Sequence, residues 1–275
     1  MPAVIPFVKA SACGNDFLLV NLSDVVPHGI DLAELTKSMC DRHDGVGADG
    51  IEFLLPDDVP SAQGSAEFQR ADIRARLINA DGSPAEVSGN GTRCVAAYMV
   101  SLHNGQTVTV RTDAGVKTCA LTGREGNTFE FEAAMGEPQI GEEFTVAVSF
   151  GEAKGLPVSM GNPHYVMFVR KFVARWQAEG AEISTHRDFP QGTNVEFVHV
   201  QDRSNIAVRF FERGAGETKS SGTGSCAAAV GAIHARKAVS PVTVHTQGGI
   251  QTVRWDGQVF LKGPARLVCR GEFFI

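Results

Sequence analysis

Two short segments of the sequence share a pattern that suits the binding of a small anion. Ser88-Gly-Asn-Gly91 and Ser221-Gly-Thr-Gly224 each precede a stretch that predicts a helix. Glycines at a helix start leave backbone N–H groups open at the positive end of the helix dipole, where a carboxylate binds well. Serine there is also a good helix N-cap, which explains a single such segment without any ligand. Because the pattern occurs twice, the sequence favours a carboxylate held between two helix ends.

The two segments belong to an internal duplication. Four pairs of segments match in the same order in both halves, with loop lengths that differ between the copies. The pairs are residues 14–15 with 161–162, 51–53 with 195–197, 76–91 with 209–224, and 108–118 with 242–252. Ordered matches of this kind predict two similar domains related by a pseudo-twofold axis. Ligand sites favour the interface between such domains, so we expect both serine segments to face one ligand.

Each half consists mainly of predicted strands, which are short, rich in β-branched and aromatic residues, and bounded by turn residues. The predicted strands are 17–20, 51–55, 73–78, 108–111, 165–169, 195–200, 206–211 and 242–245. One helix per half follows the serine segment, from Gly91 to about His103 and from Gly224 to about Lys237. The second of these helices is apolar on every face, which predicts that it is buried on every side.

These elements predict an α+β fold of two pseudo-symmetric domains, each a mostly antiparallel, curved β-sheet or barrel around a central buried helix. The expected boundaries are residues 1–133 plus 266–275 for the N-terminal domain and 134–265 for the C-terminal domain. We also expect lesser helices over 32–41 and 172–180, and a surface loop over 57–69.

The composition argues against several classes of function. Lysine and arginine number 25 against 31 aspartates and glutamates, which gives a net charge of −6, and there is no basic tract. Nucleic acid and anionic membranes are therefore not expected partners. No apolar run approaches the ~18 residues of a membrane helix, and the first residues lack the order of a signal peptide, so we expect a cytoplasmic protein. The six cysteines are expected to be reduced, and the histidines lack zinc-ligand spacing, so no metal is expected.

Two equivalent side chains that face one ligand from opposite sides have the geometry of a two-base isomerase. One group removes an α-proton, and the other delivers a proton to the opposite face. The equivalent side chains here are Ser88 and Ser221. A Ser–His–Asp hydrolase that uses either serine with His164 is a weaker interpretation, because neither serine lies in a G-x-S-x-G segment.

The motifs of both halves resemble those of the diaminopimelate epimerase family. That family has Cys-Gly-Asn-Gly-x-Arg-Cys in its first half and Glu-Arg-Gly-x-Gly-Glu-Thr-x-x-Cys-Gly-(Ser/Thr)-Gly in its second. The corresponding segments here are Ser88-Gly-Asn-Gly-Thr-Arg-Cys94 and Glu212-Arg-Gly-Ala-Gly-Glu-Thr-Lys-Ser-Ser-Gly-Thr-Gly224. The resemblance covers nearly the whole chain in order. Further matching segments are Gly14–Phe17, Asp41–Asp49, Asn79–Gly82, Met160–His164 and Gly192–Val195.

The resemblance implies an epimerase that converts LL-2,6-diaminopimelate to the meso form, in the biosynthesis of lysine and cell-wall precursors. It implies a small amino-acid substrate, no cofactor, neither pyridoxal phosphate nor metal, and a homodimer, since the family is often dimeric. The residues that match the substrate-holding asparagines of the family are Asn15, Asn79, Asn162 and Asn194.

The resemblance also implies roles for the remaining site residues. Gly89, Asn90, Gly222 and Thr223 match the loops that hold the reacting carboxylate. Arg213 matches the cation that meets the distal carboxylate, and His164 and Glu212 match residues that tune the catalytic pair. By residue type alone, a buried asparagine or histidine is more often a structural polar group, so these roles rest on the resemblance.

Serine stands at both positions where the family has its catalytic cysteines, Ser88 and Ser221. Cys94 and Cys226 match other family cysteines and are expected to face the core. A thiol has a pKa of about 8.5 and an alcohol one near 15.7. The difference costs roughly 10 kcal/mol in forming the base, more than two helix dipoles at up to ~2 kcal/mol each can offset. We therefore expect the chain to bind the substrate and to epimerise it very poorly.

Three interpretations of the two serines stay open from the sequence. Both cysteines were replaced deliberately, to trap the bound substrate or to prevent a disulfide. Alternatively, the chain is a natural relative whose serines serve another amino-acid isomerisation or a dehydration. The third interpretation is a natural amino-acid-binding protein without catalytic activity.

Overall fold

The computed structural model describes residues 3–57 and 71–275. Contacts between Cα atoms divide the chain into two compact units. Unit 1 contains the described residues up to Ala133 together with Pro264–Ile275, and unit 2 contains Ala134–Gly263. The surface loop expected over 57–69 lies outside the described residues apart from Asp57, which is buried and paired with Arg111 at 2.8 Å. Within the described ranges, no helix is long and apolar enough to cross a membrane.

Unit 1 contains one long helix and a mixed β-sheet. Its strands are β1 (Val4–Ala12), β2 (Asn15–Asn21), β3 (Gly50–Leu55), β4 (Ile73–Asn79), β5 (Pro84–Ala85), β6 (Thr107–Thr112), β7 (Gly115–Glu125) and β8 (Thr128–Gly136), of which the last runs into unit 2. Its helices are α1 (Leu22–Val25), α2 (Leu32–Cys40) and α3 (Gly89–His103), with a 3-10 turn over Val26–His28.

Unit 2 repeats this organisation. Its strands are β9 (Gln139–Ile140), β10 (Phe144–Val148), β11 (Gly151–Ser159), β12 (Pro163–Phe168), β13 (Asn194–Val200), β14 (Asn205–Glu212), β15 (Gly216–Thr218), β16 (Val242–Thr246), β17 (Gly249–Asp256) and β18 (Gln258–Phe274), of which the residues from Pro264 onward belong to unit 1. Its helices are α4 (Trp176–Ser184) and α5 (Gly222–His234).

The strand pairing confirms an α+β fold with mixed sheets. Most neighbouring strands are antiparallel, and β1 pairs with both β2 and β18. Parallel pairs occur at matching places in the two units, β2 with β3 and β4 with β6 in unit 1, and β12 with β13 and β14 with β16 in unit 2. The sheets are therefore less uniformly antiparallel than the sequence predicts.

A buried helix lies against one face of each sheet. Alternate residues of a strand point to opposite faces, so Leu54 of β3 packs in the cluster around α3, whereas Ile51 and Phe53 pack in the cluster around α2. In unit 2, Val198 of β13 packs in the cluster around α5. The alanines at 227–229 of α5 are 0% exposed, which agrees with the prediction of a helix buried on every side.

The eight predicted strands and four predicted helices are all present, but one helix is displaced, and the helix expected to reach about Lys237 ends at His234. The helix expected over 172–180 runs from Trp176 to Ser184. Gly180 lies inside this helix and does not end it. The helix approaches Phe211 closely at this point, because a methyl group at Gly180 would lie 2.7 Å from Phe211 Cβ. Phe172 lies before the helix and packs against the ring of His199.

Candidate functional site

Ser88 and Ser221 are the N-cap residues of α3 and α5. Both have an extended backbone, and their Oγ atoms accept hydrogen bonds from the amides of Gly91 (3.1 Å) and Gly224 (3.2 Å). Helix capping is therefore present in both turns. The hydroxyl hydrogen of each serine has no acceptor among the described residues, so it stays available as a donor.

The first amides of both helices are open. Among the described residues, none accepts a hydrogen bond from the amides of Gly89 and Asn90, or from those of Gly222 and Thr223. These N–H groups lie at the positive end of a helix dipole, so each turn can bind a carboxylate with two backbone donors.

In unit 1, a chain of hydrogen bonds fixes the side chain of Asn90. Its Nδ2 donates to Asn15 Oδ1 (2.8 Å), and its Oδ1 accepts from the guanidinium of Arg93. Asn15 donates to Asp49 Oδ2 (3.0 Å), and Asp49 pairs with Arg42 (2.7 Å). The structure thus brings together two of the site asparagines predicted from the sequence. Arg93 is only 2% exposed and lies directly behind the turn.

In unit 2, the equivalent chain of hydrogen bonds ends on Thr223. Asn162 Nδ2 donates to Thr223 Oγ1 (3.4 Å), and His164 bonds Asn162 Oδ1 through Nε2 (2.9 Å) and Glu196 Oε1 through Nδ1 (2.7 Å). Because the amide oxygen of Asn162 only accepts, His164 donates to it through Nε2, and Nδ1 is the ring nitrogen that bonds Glu196. Thr223 accepts from Asn162 and so keeps its own hydroxyl hydrogen for a ligand.

Asn194 supports the backbone of Arg213. Its Oδ1 accepts from the Arg213 amide (2.9 Å), and its Nδ2 donates to Pro163 O (3.0 Å). The guanidinium of Arg213 is exposed and donates to the carbonyl of Gln191 (2.8 Å). No carboxylate of the described chain pairs with Arg213, which leaves it able to bind an acidic group. Glu212, the residue before it, is half-buried.

Asn79 lies apart from the hydrogen-bond network of unit 1. It ends β4 opposite Gly50, and its Nδ2 donates to Ser83 Oγ (3.1 Å). No hydrogen bond within the described residues joins it to Asn15 or to Ser88. Cys94 and Cys226 are fully buried in the cores around α3 and α5, as expected.

Two buried glutamates, Glu52 and Glu196, lie beneath the turns and were not singled out from the sequence. They occupy matching positions in β3 and β13 and are 3% and 0% exposed. Burial raises the pKa of Glu52 to about 8. Burial also raises the pKa of Glu196, with the neighbouring His164 acting in the opposite direction. The repeat contained the pattern that could have revealed them, because each of the two matching apolar strands has an acidic residue at its centre.

Several solved structures share the fold of this chain. The chain is similar to the crystal structure of a PhzF-family phenazine biosynthesis protein from Bacillus anthracis, with a TM-score of 0.70, 18% identity and 99% of each chain covered. It is also similar to a hydroxyproline epimerase from Agrobacterium vitis, with a TM-score of 0.67, 18% identity, and coverage of 98% of this chain and 91% of the other. This is the α+β fold shared by proline racemases, PhzF proteins and diaminopimelate epimerases.

Sequence comparison gives the family. The family model for diaminopimelate epimerase matches residues 7–141 and 156–268. A diaminopimelate epimerase from Pelotomaculum thermopropionicum is 40% identical, and one from Moorella thermoacetica is 37% identical, each over 97% of this chain and 98% of the relative. The chain therefore belongs to the diaminopimelate epimerase family and is an enzyme of the isomerase class.

Proposed function

We propose that this chain is a cofactor-independent amino-acid epimerase whose substrate is 2,6-diaminopimelate, interconverted between the LL and meso forms. The observation that carries the proposal is the matched pair of turns. In both units a serine caps a buried helix, two amides after it are open, and an asparagine from a neighbouring loop contacts the turn. The names of the relatives supply the substrate.

The side chains around each turn support a division of roles. The open amides at Gly89 and Asn90, and at Gly222 and Thr223, suit the carboxylate of the reacting centre. The guanidinium of Arg213 is exposed and donates to the carbonyl of Gln191, so its remaining N–H groups suit a charge-assisted contact with the distal carboxylate. We propose that Ser88 and Ser221 are the two groups that exchange protons with the α-carbon of the substrate.

Serine at both turns makes proton transfer slow. The hydroxyl oxygens of Ser88 and Ser221 already accept one backbone hydrogen bond each, which stabilises negative charge on them. Such a bond contributes about 1.5–3 kcal/mol to a charged acceptor. This is well short of the roughly 10 kcal/mol that separates an alcohol from a thiol as an acid. The expected enzyme binds diaminopimelate well and turns it over slowly.

Exchange of the α-proton in heavy water tests this function. We expect the chain to bind LL-diaminopimelate in calorimetry and to incorporate deuterium more than tenfold more slowly than a relative with two cysteines. The Ser88→Cys/Ser221→Cys variant is the matched comparison, and its exchange is expected to rise at least 100-fold. If the unaltered chain exchanged the α-proton at a rate within tenfold of such a relative, the high pKa of serine would not limit proton transfer, and this reasoning would be refuted.

Calorimetry with other amino acids separates the alternatives left open by the sequence. Binding of histidine, proline or hydroxyproline in preference to diaminopimelate would indicate a relative with a different substrate. Binding of diaminopimelate with no exchange, even in the Ser88→Cys/Ser221→Cys variant, would indicate a binding protein. A homodimer and a cytoplasmic location stay predictions.

A further inference from the structure

Glu52 is an acidic side chain in an apolar part of unit 1. It lies at the centre of β3 and points to the same face as Leu54, towards α3. Its neighbours in register on the adjacent strands are Leu19 and Leu77. The side chain is 3% exposed, and no described residue forms a hydrogen bond or ion pair with its carboxyl group. A carboxyl group buried among apolar side chains without a hydrogen-bond partner is costly.

The carboxyl group of Glu52 lies against the first turn of α3, beside Ser88. A methyl group added to Gly91 would overlap Glu52 Oε1, and it would lie 3.2 Å from both Glu52 Cδ and Ser88 Cβ. Glycine at position 91 therefore makes room for the carboxyl group next to the serine.

Unit 2 contains the same arrangement at matching positions. A methyl group added to Gly224 would lie 2.8 Å from Glu196 Oε1 and 3.0 Å from Ser221 Cβ. Glu196 is bonded to His164, and its Oε2 has no partner among the described residues. A carboxyl group beneath a serine-capped turn thus occurs twice, with glycine in both turns at the point of contact.

We propose that Glu52 is a positioning residue for proton transfer at Ser88, where its carboxylate accepts the hydroxyl proton of Ser88 as Ser88 Oγ takes the α-proton of the substrate. This inference rests on the proposed function. The α-carbon to hydrogen bond breaks and its electron pair stays on the substrate. The new O–H bond forms at Ser88 Oγ, and the former hydroxyl proton moves to Glu52. Reprotonation of the substrate reverses these steps.

The two neighbours of the hydroxyl fit this role. The amide of Gly91 donates to Ser88 Oγ, which stabilises negative charge on that oxygen as the proton leaves. No hydrogen bond joins Ser88 Oγ to Glu52 among the described residues, so the transfer requires a rotation of the Glu52 carboxyl group towards Ser88. The carboxylate thereby supplies the basicity that an alcohol lacks by itself.

The protonation of Glu52 sets the pH dependence of the step. Burial raises its pKa to about 8, so the carboxyl is mainly neutral below that pH and becomes a proton acceptor above it. Glu52 acts electrostatically on the Cys94 thiol of α3, which Arg93, Cys13 and Asp16 also influence. The buried Cys94 thiol stays neutral in this range because burial raises its pKa further.

The test measures deuterium incorporation at the α-carbon of LL-diaminopimelate as a function of pH. In the unaltered chain, exchange is expected to rise through about pH 8. Glu52→Gln is expected to lower exchange at least tenfold at about pH 9 and to remove the rise, whereas Glu52→Asp keeps part of it. Glu125→Gln, which removes an exposed acid of unit 1, is the matched control and is expected to leave the profile unchanged.

A second background separates this role from a structural one. In the Ser88→Cys/Ser221→Cys variant the thiols supply their own acidity, so Glu52→Gln is expected to change exchange less than threefold. Glu52→Gln could lower exchange equally in both backgrounds, or it could leave the pH profile of the serine chain unaltered. Either result would overturn this inference and leave the proposed function standing. Absence of exchange in the Ser88→Cys/Ser221→Cys variant would overturn the proposed function, and this inference with it.

Discussion

Replacement of Gly91 by alanine is expected to destabilise the protein because of Glu52. In an exposed part of a helix, alanine is more stable than glycine by up to ~1 kcal/mol. At Gly91, which is buried, the added methyl group overlaps Glu52 Oε1 and lies 3.2 Å from Ser88 Cβ. Overpacking of a core costs about 1–3 kcal/mol, so we expect Gly91→Ala to lower the free energy of unfolding by about 1–2 kcal/mol.

The sign of this effect reverses when the carboxyl group is removed. In a Glu52→Ala background the overlap no longer exists, and Gly91→Ala is expected to stabilise by up to ~1 kcal/mol through helix propensity. The coupling energy between the two sites is therefore about 1–3 kcal/mol, within the range seen for residues in contact. Chemical denaturation of the four proteins, followed by circular dichroism, measures it directly.

Gly89 provides a matched control in the same turn. A methyl group at Gly89 has one neighbour within 4 Å, Arg93 Nη1 at 4.0 Å, so Gly89→Ala is expected to be neutral or slightly stabilising in both backgrounds. If Gly91→Ala behaved like Gly89→Ala, or kept its full cost in the Glu52→Ala background, the carboxyl group would not lie against this turn. The positioning role of Glu52 would then lose its geometric basis.

Three further outcomes follow from the same contacts. The pKa of Glu52 is raised to about 8 in the folded chain, above the ~4.3 of an unfolded one, so its stabilising contribution is complete below about pH 4 and is lost as the pH rises through about 8. The stability of Glu52→Gln relative to the unaltered chain should therefore rise by a few kcal/mol between about pH 5 and about pH 9, measured by urea denaturation. Glu196→Ala leaves His164 buried without its partner and is expected to cost about 3 kcal/mol, with a detectable change in the imidazole resonances. Arg213→Ala is expected to weaken calorimetric binding of diaminopimelate at least tenfold and to leave thermal stability unchanged, because the guanidinium is exposed.

The sequence predicted the duplicated strands well because their apolar and β-branched residues are continuous. It missed the long strand β18, which contains Gly263 and Pro264. Glycine and proline weaken a strand in isolation. Here the segment is extended because β17 pairs with its first residues and β1 with its last ones. Such pairing depends on segments distant in the sequence, so no local pattern reveals it.

The candidate site, like the fold, could be predicted from the sequence only in part. Its turns were predicted from local spacing, because an N-cap and the glycines after it act within a few residues. The contact of Asn15 with Asn90 joins residues far apart in the chain, and only the fold establishes it. The buried glutamates were missed although the repeat pairs residues 51–53 with 195–197, since an acidic residue in a strand usually belongs to an exposed face.

Duplication has kept the backbone of the two turns and changed their electrostatics. The position of Arg93 in unit 1 corresponds to Cys226 in unit 2, so a buried cation lies behind only one of the matched turns. The buried acid of unit 1 has no hydrogen-bond partner among the described residues, whereas Glu196 is hydrogen-bonded to His164. A two-base isomerase needs one base protonated and the other free in each direction, and unequal surroundings are what separate the proton affinities of otherwise equivalent groups. In the proposed reaction, the different surroundings of Ser88 and Ser221 therefore come from side chains that the repeat does not share, Arg93 in unit 1 and His164 in unit 2.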